Sequence, residues 1–418
     1  MLIAGTPIGV ALGLVGIGGL ILVLGIEPAL IKAGVVTFDT LIRYELGTLP
    51  LFMLIAQLLF AADASKDLFD AAAKFVGHRR GGLALASVAG CAGFGTINGS
   101  SLATTATIGM VALPEMRRRG YSDALATGTV AAGGTLGQLI PPSGALIVFG
   151  IIAEQSIGQM FTAAIIPGLT QALFYLAVVW LLVLWRPSIA PRSERAPWSE
   201  RIRAMGKVSD MLLLIVVVIT AIAMGWMSPS EAASVGAAGS FAITIWRRSL
   251  SLAVLHKAFT ETLRTSGMIL QVILGALIFS VFIGVTGVAN LIADGVAGLG
   301  LGTTWTLILI ALLLLILGSV LDGLGLMLLT TPILLPIVQG LGMSPIWFGI
   351  FIIRAMEIGF VHPPLGLNLY VIHDVMPDVT IRKIFKGVLP FLASDLIHLL
   401  LLILFPIMAM GLPHWLGQ

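Results

Sequence analysis

The sequence predicts an all-α, polytopic membrane protein built as an inverted repeat of two related halves. Three observations predict this class. Hydrophobic residues make up 58% of the 418 residues and charged residues only 10%, whereas about a quarter of the residues in soluble domains are charged. The apolar residues form runs of the length, about 20 residues, that a helix needs to cross a bilayer. Two of these runs contain a Pro-Pro pair, Pro141-Pro142 and Pro363-Pro364.

Composition and motifs exclude several classes of protein. The net charge is only +3 and there is one cysteine, Cys91, so the sequence has no basic patch for a nucleic acid and no pair of thiols for a disulfide. It contains no P-loop, no His-Glu-x-x-His zinc motif and no serine nucleophile with a recognisable base. The sequence therefore predicts a protein that is not an enzyme and that has the lipid bilayer as its solvent.

Nine apolar runs are candidate membrane spans. They cover roughly residues 2–26, 48–64, 122–153, 161–186, 210–226, 230–246, 266–286, 345–374 and 387–411. The first run lacks a basic stretch and a small-residue cleavage site, so we interpret it as a span and not as a signal peptide. The amphipathic segments 28–46, 66–77 and 247–264 are predicted to be helices at the membrane surface.

Two further apolar runs, 81–117 and 304–341, are interrupted near their middles. Each run is either two spans or a re-entrant hairpin that turns back inside the membrane. Lys and Arg prefer the cytoplasmic side of a membrane, and they flank only the first run. The two hairpins are therefore predicted to enter from opposite faces, with the N-terminus cytoplasmic and the C-terminus periplasmic. The basic clusters behind this assignment are 78–80, 117–119, 186–207, 247–264 and 382–383.

The two halves align by spacing. Matching features are separated by 222 to 224 positions, and each half has a hairpin tip, then a proline, then the Pro-Pro break. Proline has no N–H donor, so a helix opens at the break and exposes carbonyls that suit Na⁺ and amides that suit anions. The alternative is that each Pro-Pro pair only kinks a packed helix. The matching pairs are Asn98-Gly99 with Asp322-Gly323, Leu113-Pro114 with Leu335-Pro336, and Pro141-Pro142 with Pro363-Pro364.

Polar residues at the first tip are candidate ligand contacts. Asn98, Ser100 and Ser101 lie where the helix is interrupted, so they are predicted to face a ligand. Thr104 and Thr105 follow inside the next helix. Hydroxyl side chains in such positions often bond to their own helix, and this is what we expect of these two.

The second half carries ionisable residues inside apolar runs. The Asp322 carboxylate needs a partner in the membrane, either a cation such as Na⁺ or the amides of a helix end. Arg354 and Glu357 are three residues apart on one helical face, so they either neutralise each other or leave Arg354 for an anionic substrate. His362 either titrates with protons or forms a neutral hydrogen bond in the turn, and we favour the hydrogen bond.

Several long motifs, found in both halves, carry a family resemblance. They are 103–121, 131–143, 331–336, 347–349, 357–359 and 363–368. In these stretches the chain resembles the large membrane subunit, the DctM-type M subunit, of tripartite ATP-independent periplasmic (TRAP) transporters. The sequence departs from the family pattern at Arg354 and His362 and in the run 143–146, which puts the substrate and the second ion site in question.

The resemblance implies an elevator-type ion transporter, in which a domain that holds both hairpins moves against a scaffold. It implies Na⁺-coupled import of an organic anion, such as a dicarboxylate or sugar acid, delivered by a periplasmic binding protein. It also implies a small four-helix membrane partner, the Q subunit, and a location in the bacterial inner membrane. Carried over by position, the Na⁺ ligands are Asn98, Gly137, Ile140 and Pro142 in one site and Asp322, Gly359, His362 and Pro364 in the other. The substrate residues are Ser100, Ser101, Arg354 and Asn368.

The predicted organisation follows from this arrangement. The segments are 1–77 (N-terminal scaffold helices), 78–160 (first hairpin and broken helix), 161–265 (scaffold helices with a cytoplasmic loop and arm helix), 266–376 (second hairpin and broken helix) and 377–418 (C-terminal span). Two alternatives stay open. One is a related Na⁺-coupled anion transporter that works without a binding protein, and the other is a channel, which the unequal tips Asn98 and Asp322 disfavour.

Overall fold

The computed structural model describes residues 6–363 and 365–417, with every side chain in these ranges except that of Ala297. This part of the chain is α-helical and contains no strand. A helix satisfies all its backbone hydrogen bonds internally, which lipid requires. The helices are α1 (Ile8–Leu24), α2 (Ile26–Leu41), α3 (Thr48–Ala61), α4 (Ala64–Val76), α5 (Gly82–Asn98), α6 (Ser101–Arg118), α7 (Asp123–Leu139), α8 (Gly144–Ile152), α9 (Ile157–Trp185), α10 (Trp198–Ala223), α11 (Pro229–Trp246), α12 (Leu252–Thr286), α13 (Val288–Gly298), α14 (Thr303–Gly318), α15 (Gly323–Gly340), α16 (Pro345–Val361), α17 (Leu367–Val375), α18 (Ile381–Leu404) and α19 (Ile407–Trp415).

The length and composition of these helices confirm a polytopic membrane protein. Within the described ranges, six helices are long and apolar enough to cross a bilayer: α3 with the turn before it, α9, α10, α12, α15 and α18. The pair α7 and α8 forms a seventh, bent by 42° at the break. Helices α1, α5 and α14 are apolar but shorter.

Both interrupted runs fold as helical hairpins that turn at the interruption, a shape that fits either two spans or a re-entrant segment. The first consists of α5 and α6, and the chain turns at Gly99, which has a φ of 62° that favours glycine. The side chain of Ser100 then accepts a hydrogen bond from the Ala103 amide, 3.4 Å away, and so caps α6. In the second hairpin, α14 and α15, Asp322 caps α15 in the same way.

The two breaks at the Pro-Pro pairs also have the predicted positions. Helix α7 ends at Leu139 and α8 begins at Gly144, and the peptide bond between Pro141 and Pro142 is cis. Helix α16 ends at Val361 and α17 begins at Leu367. Each half therefore contains a hairpin followed by a broken helix, in the same order.

Matching glycine pairs hold the first arm of each hairpin against the broken helix of its own half. A Cβ added at Gly95 would lie 2.6 Å from the Cα of Gly137, and one added at Gly359 would lie 3.2 Å from the Cα of Gly318. Small residues let membrane helices approach this closely. The same contact therefore recurs in both halves, which is independent support for the repeat.

We expect Gly95→Ala to destabilise the protein by about 1–3 kcal/mol, because the new methyl group meets backbone that cannot rotate away. Thermal unfolding of the purified chain in detergent measures this. Gly18→Ala is the matched control, since a Cβ there has nothing within 4 Å. Equal melting temperatures for the two variants would contradict the close packing of α5 on α7.

The basic clusters meet at one end of the molecule. Asp123, the first residue of α7, forms ion pairs with Arg117 of α6 and with Lys383 in the first turn of α18. The amide of Ser122 donates to the carbonyl of Ile189, 2.9 Å away, which places the loop after α9 at the same end. Further contacts there are Lys74 with Glu200, Ser193 with Gly77, and Arg247 with Asp67, Asp210 and the carbonyl of Lys207. The first hairpin opens at this end.

The second hairpin opens at the other end. Helix α12 begins near the basic clusters, shortly after Arg247, and its far end at Ile283 shares a cavity with Thr331 and Pro336 in the second half of α15. Ile152, at the end of α8, lines the same cavity. The two hairpins therefore have opposite orientations, as an inverted repeat requires.

Several boundaries differ from the prediction. Helix α10 begins at Trp198, before the predicted span 210–226. The predicted segments 247–264 and 266–286 join from Leu252 into one continuous helix, α12, because Gly267 alone does not interrupt the hydrogen bonds of a long apolar helix. The run 387–411 is not one span but two helices, α18 and α19, which separate before Pro406. Proline cannot continue the hydrogen bonding of α18 and instead begins the next helix.

The core of the molecule lies where α7, α9, α16 and α18 pack on one another. Helix α9 follows the first broken helix in sequence, and α18 follows the second. Both helices carry buried side chains toward the broken helices, such as Tyr175 and Phe391, whose ring centroids lie 5.7 Å apart. This core supports both hairpin tips.

Candidate functional site

A cavity of about 400 Å³ lies between the tips of the two hairpins. Asn98, Gly99 and Ser100 line it from the first tip, and Asp322 and Gly325 line it from the second. The opposite wall comes from helices α1, α3 and α12. The wall residues are Ile8, Met53, Gln57, Thr265, Met268, Ile269 and Val272. The sequence thus predicted both tips correctly, but the wall residues have no local motif that would mark them.

The cavity contains no basic side chain among the residues that line it in the described chain. Its polar side chains are those of Gln57, Asn98, Ser100, Gln138, Thr265 and Asp322. Helices α6 and α15 begin at the two tips, and the N-terminal end of a helix carries partial positive charge that favours anions. Among the described lining residues, partial positive charge therefore comes from the backbone of these two helix ends and not from Lys or Arg.

The first break leaves backbone carbonyls without their helical donors. Pro141 and Pro142 lack N–H groups, so they cannot bond to the carbonyls of Gly137 and Gln138, four residues earlier. Gly137 faces the first hairpin, because a Cβ there would lie 2.7 Å from Thr104 Oγ1 and 3.1 Å from the Ser100 carbonyl oxygen. A side chain would fill this space, and glycine leaves it open.

Several buried polar atoms beside this space have no hydrogen-bond partner among the described residues. They are Asn98 Nδ2, Thr104 Oγ1, Gln138 Oε1 and Ser143 Oγ. We expected Thr104 and Thr105 to bond to their own helix, but neither hydroxyl makes such a bond. Three of these atoms are uncharged oxygens, those of Thr104, Gln138 and Ser143, and such oxygens together with free carbonyls form the donor set that broken helices offer to Na⁺. Asn98 would bind an ion through its amide oxygen and not through Nδ2. The residues at the first predicted ion site therefore fit this ion.

The predicted second site is less complete. Asp322 Oδ2 accepts a hydrogen bond from the Gly325 amide, 3.2 Å away, so the carboxylate caps α15 and also lines the cavity. Gly359 packs on Gly318, and His362 ends α16 with its Nδ1 buried and unpartnered within the described ranges. The structure shows no direct bond between Asp322 and His362. Pro364 lies outside the described residues.

The predicted substrate residues separate into two groups. Ser100 lines the cavity, whereas Ser101 and Asn368 are fully buried and bond to each other. The Asn368 amide donates to Ser101 Oγ and to the Ala131 carbonyl, both 2.9 Å away. These bonds tie the first hairpin and the first broken helix to the second broken helix.

Arg354 lies in the core of the four helices and not at the cavity. Its Nη1 is 2.5 Å from Glu357 Oε2, and its Nη2 is 3.0 Å from Asp395 Oδ1. Of the two alternatives for Arg354, the structure shows the ion pair with Glu357 and does not place Arg354 in the cavity lining. Asp395 and Tyr175, whose hydroxyl donates to Asp395 Oδ1 at 2.8 Å, were not predicted from the sequence. An acidic residue inside the apolar run 387–411 was the signal that could have found Asp395.

A family model and individual relatives of known name point to the same family of transporters. The family model for the DctM component of tripartite ATP-independent periplasmic transporters matches residues 1–408. The C4-dicarboxylate TRAP transporter large permease protein DctM of Pseudomonas aeruginosa is 33% identical over 405 residues, covering 96% of this chain and 94% of that protein. The isethionate TRAP transporter permease protein DctMQ of Oleidesulfovibrio alaskensis is 32% identical, covering 96% of this chain and 62% of that protein.

A solved structure has a similar fold. The crystal structure of the YdaH transporter of Alcanivorax borkumensis matches with a TM-score of 0.59 and 16% identity, over 94% of this chain and 89% of that one. At this identity the match supports the architecture only.

Proposed function

Because this chain belongs to the DctM family of tripartite ATP-independent periplasmic transporters, we propose that it imports an organic anion together with Na⁺ and that a periplasmic binding protein delivers the anion. The cavity between the hairpin tips is the observation that carries this proposal. It joins two helix N-terminal ends, which attract anions, to an oxygen-lined space that suits Na⁺.

The ion would supply charge that the cavity lacks. With no Lys or Arg in its described lining and with Asp322 at its edge, the cavity gives a carboxylate substrate little direct compensation. Na⁺ held by Asn98, Thr104 and the carbonyls at the first break would make the local potential more positive. This arrangement would make anion binding depend on Na⁺, which is the thermodynamic requirement for coupled transport.

We propose that the cavity moves by an elevator mechanism. Hairpin tips form one wall, and α1, α3 and α12 form the other. The bonds among Ser101, Asn368 and Ala131 join the two halves behind the tips. Helices α9 and α18 pack on the broken helices, so we assign them to the moving body, whereas the division made from the sequence placed 161–265 in the scaffold. This body of both hairpins, both broken helices, α9 and α18 could slide against α1, α3 and α12 while both tips stay together.

The proposal includes partners and a location. The name DctMQ of the isethionate relative combines two components, and this chain spans 62% of that protein, so we propose that a separate small Q subunit binds this chain. We place the complex in the bacterial inner membrane, with the end that carries the basic clusters in the cytoplasm and the C-terminus in the periplasm.

Reconstitution tests the proposal. The chain is placed in liposomes with its small subunit, and labelled succinate or isethionate is added with the cognate binding protein, in an inward gradient of either NaCl or KCl. We expect uptake of at least one anion that requires both Na⁺ and the binding protein. Na⁺-driven uptake without the binding protein would favour the alternative, a related transporter that works alone. Uptake that is equal in KCl would refute Na⁺ coupling.

Asp322 has two roles that substitutions can separate. Asn caps a helix as well as Asp does but has no charge. We therefore expect Asp322→Asn to keep the thermal stability of the wild type while lowering Na⁺-dependent uptake severalfold or more. Asp322→Ala should lose the same uptake and also about 1 kcal/mol of stability with the cap. Wild-type Na⁺ dependence in the Asn variant would show that Asp322 only caps α15.

A further inference from the structure

A buried cluster of charged side chains, to which the proposed function gives no role, lies in the core of the four helices. Arg354 and Glu357 belong to α16 and Asp395 to α18, and all three are at most 1% exposed. Arg354 is in contact with both carboxylates, at 2.5 and 3.0 Å. The cluster therefore has one positive group for two acidic groups.

The groups that face the cluster from the other two helices add no positive charge. Tyr175 of α9 donates its hydroxyl to Asp395, and Gln171, one turn before it, donates to the Tyr175 hydroxyl at 2.9 Å. Thr135 of α7 lies 3.0 Å from the same hydroxyl. All three are neutral hydrogen-bonding side chains. In the described part of the chain, no other Lys or Arg pairs with Glu357 or Asp395.

His398, one turn after Asp395 on α18, is the remaining titratable group, and its contacts indicate a neutral ring. Thr170 Oγ1 bonds to the Ile166 carbonyl at 2.8 Å, so it can accept from His398 Nε2, 2.9 Å away. The other ring nitrogen, Nδ1, is buried and has no partner among the described residues. A second N–H there would be an unsatisfied buried donor. The ring therefore does not supply the missing positive charge.

Charge balance then requires a proton. An unpaired carboxylate at this depth costs several kcal/mol, and such groups become neutral by binding a proton. Each carboxyl also has one oxygen free to carry it, since Glu357 Oε1 and Asp395 Oδ2 have no partner within the described ranges. We propose that the Arg354–Glu357–Asp395 cluster is a proton-binding site that holds one proton, shared by the two carboxyl groups, inside the helical core.

The site has no counterpart in the other half of the repeat. Thr135 lies 222 positions before Glu357, and Ala132 lies 222 positions before Arg354. The proton therefore breaks the symmetry of the repeat. This inference depends on the fold and the charges alone, so it stands or fails independently of Na⁺ coupling.

Infrared spectroscopy of the purified chain at neutral pH tests the proposal through the C=O stretch of a protonated carboxyl group. We expect one such band that shifts on exchange into D₂O. It should vanish in Glu357→Gln and equally in Asp395→Asn, because either change leaves one carboxylate for one guanidinium. Glu115→Gln, at a partly exposed acid on α6 that pairs with Arg118 and Arg119, should leave the band unchanged. Absence of the band in the wild type, or its persistence in either cluster variant, would overturn the proposal.

Stability provides a second measurement on the same variants. Each single amide variant keeps one negative and one positive charge, so we expect each to fold as the wild type does. The double variant Glu357→Gln/Asp395→Asn leaves Arg354 without a counter-charge, and we expect it to lose most of its folded protein in gel filtration. If the single variants lost as much folded protein in gel filtration as the double variant, the result would contradict a cluster that contains one excess acid.

Discussion

Arg354→Met is expected to lower the free energy of unfolding by about 3–5 kcal/mol, the cost of breaking a buried ion pair. The substitution keeps much of the apolar volume but removes both contacts of the guanidinium, at 2.5 Å from Glu357 and 3.0 Å from Asp395. The two acids would then have no cation. Thermal unfolding in detergent, together with the yield of monodisperse protein, measures the effect.

Two further variants test whether the loss of stability in Arg354→Met comes from the buried ion pairs. Arg43→Met removes an exposed pair with Glu154 and should cost at most about 1 kcal/mol. The triple variant Arg354→Met/Glu357→Gln/Asp395→Asn contains no buried charge and should recover much of the lost stability. If Arg354→Met were as stable as Arg43→Met, the buried cluster would not contribute to the stability of the fold.

The second large effect is expected at the first ion site. Asn98→Ala removes a polar side chain of the first tip that lines the cavity and should weaken Na⁺ binding by about 10- to 100-fold, the equivalent of about 1.5–3 kcal/mol for a lost contact to a charged group. Ligand binding raises the melting temperature of the folded form. We therefore expect NaCl, but not KCl, to stabilise the wild type, and this Na⁺-specific shift to disappear in the variant.

Thr96→Val is the control for Asn98→Ala. Thr96 lies on the same helix, but its hydroxyl bonds to the Gly93 carbonyl of its own helix at 2.7 Å. Its replacement should leave the Na⁺-specific shift intact. If both variants kept a Na⁺-specific shift of wild-type size, Asn98 would not be a ligand of the ion. Loss of the shift in both variants would indicate a general weakening of the hairpin.

Local sequence features were enough to predict the hairpins and the breaks. Glycine at position 99 and the Pro-Pro pair at 141 act on their own backbone, and so does the cap at Asp322. These effects hold whatever the rest of the chain does. Arg354 and Glu357 were also predictable as a pair, because they are one helical turn apart.

Contacts between distant helices could not be predicted in this way. Asp395 meets Arg354 across 41 positions, and Asn368 meets Ser101 across 267. No periodicity within one helix encodes such pairs, since they depend on how helices that are distant in the sequence pack on one another. The continuity of α12 was missed for a related reason. A charged segment followed by an apolar one suggests two elements, but a single helix can run from the membrane surface into the bilayer.

The bonds between the two halves have a consequence for how such a molecule could have originated. Asn368 of one half satisfies Ser101 of the other, and Asp123 of one half holds Lys383 of the other. A single half would lack these partners. If the repeat arose by gene duplication, the ancestral polypeptide must have inserted into the membrane in both directions and assembled as an antiparallel dimer. Fusion then fixed each copy in one direction, which allowed an unmatched charge such as Glu357 to evolve in only one of them.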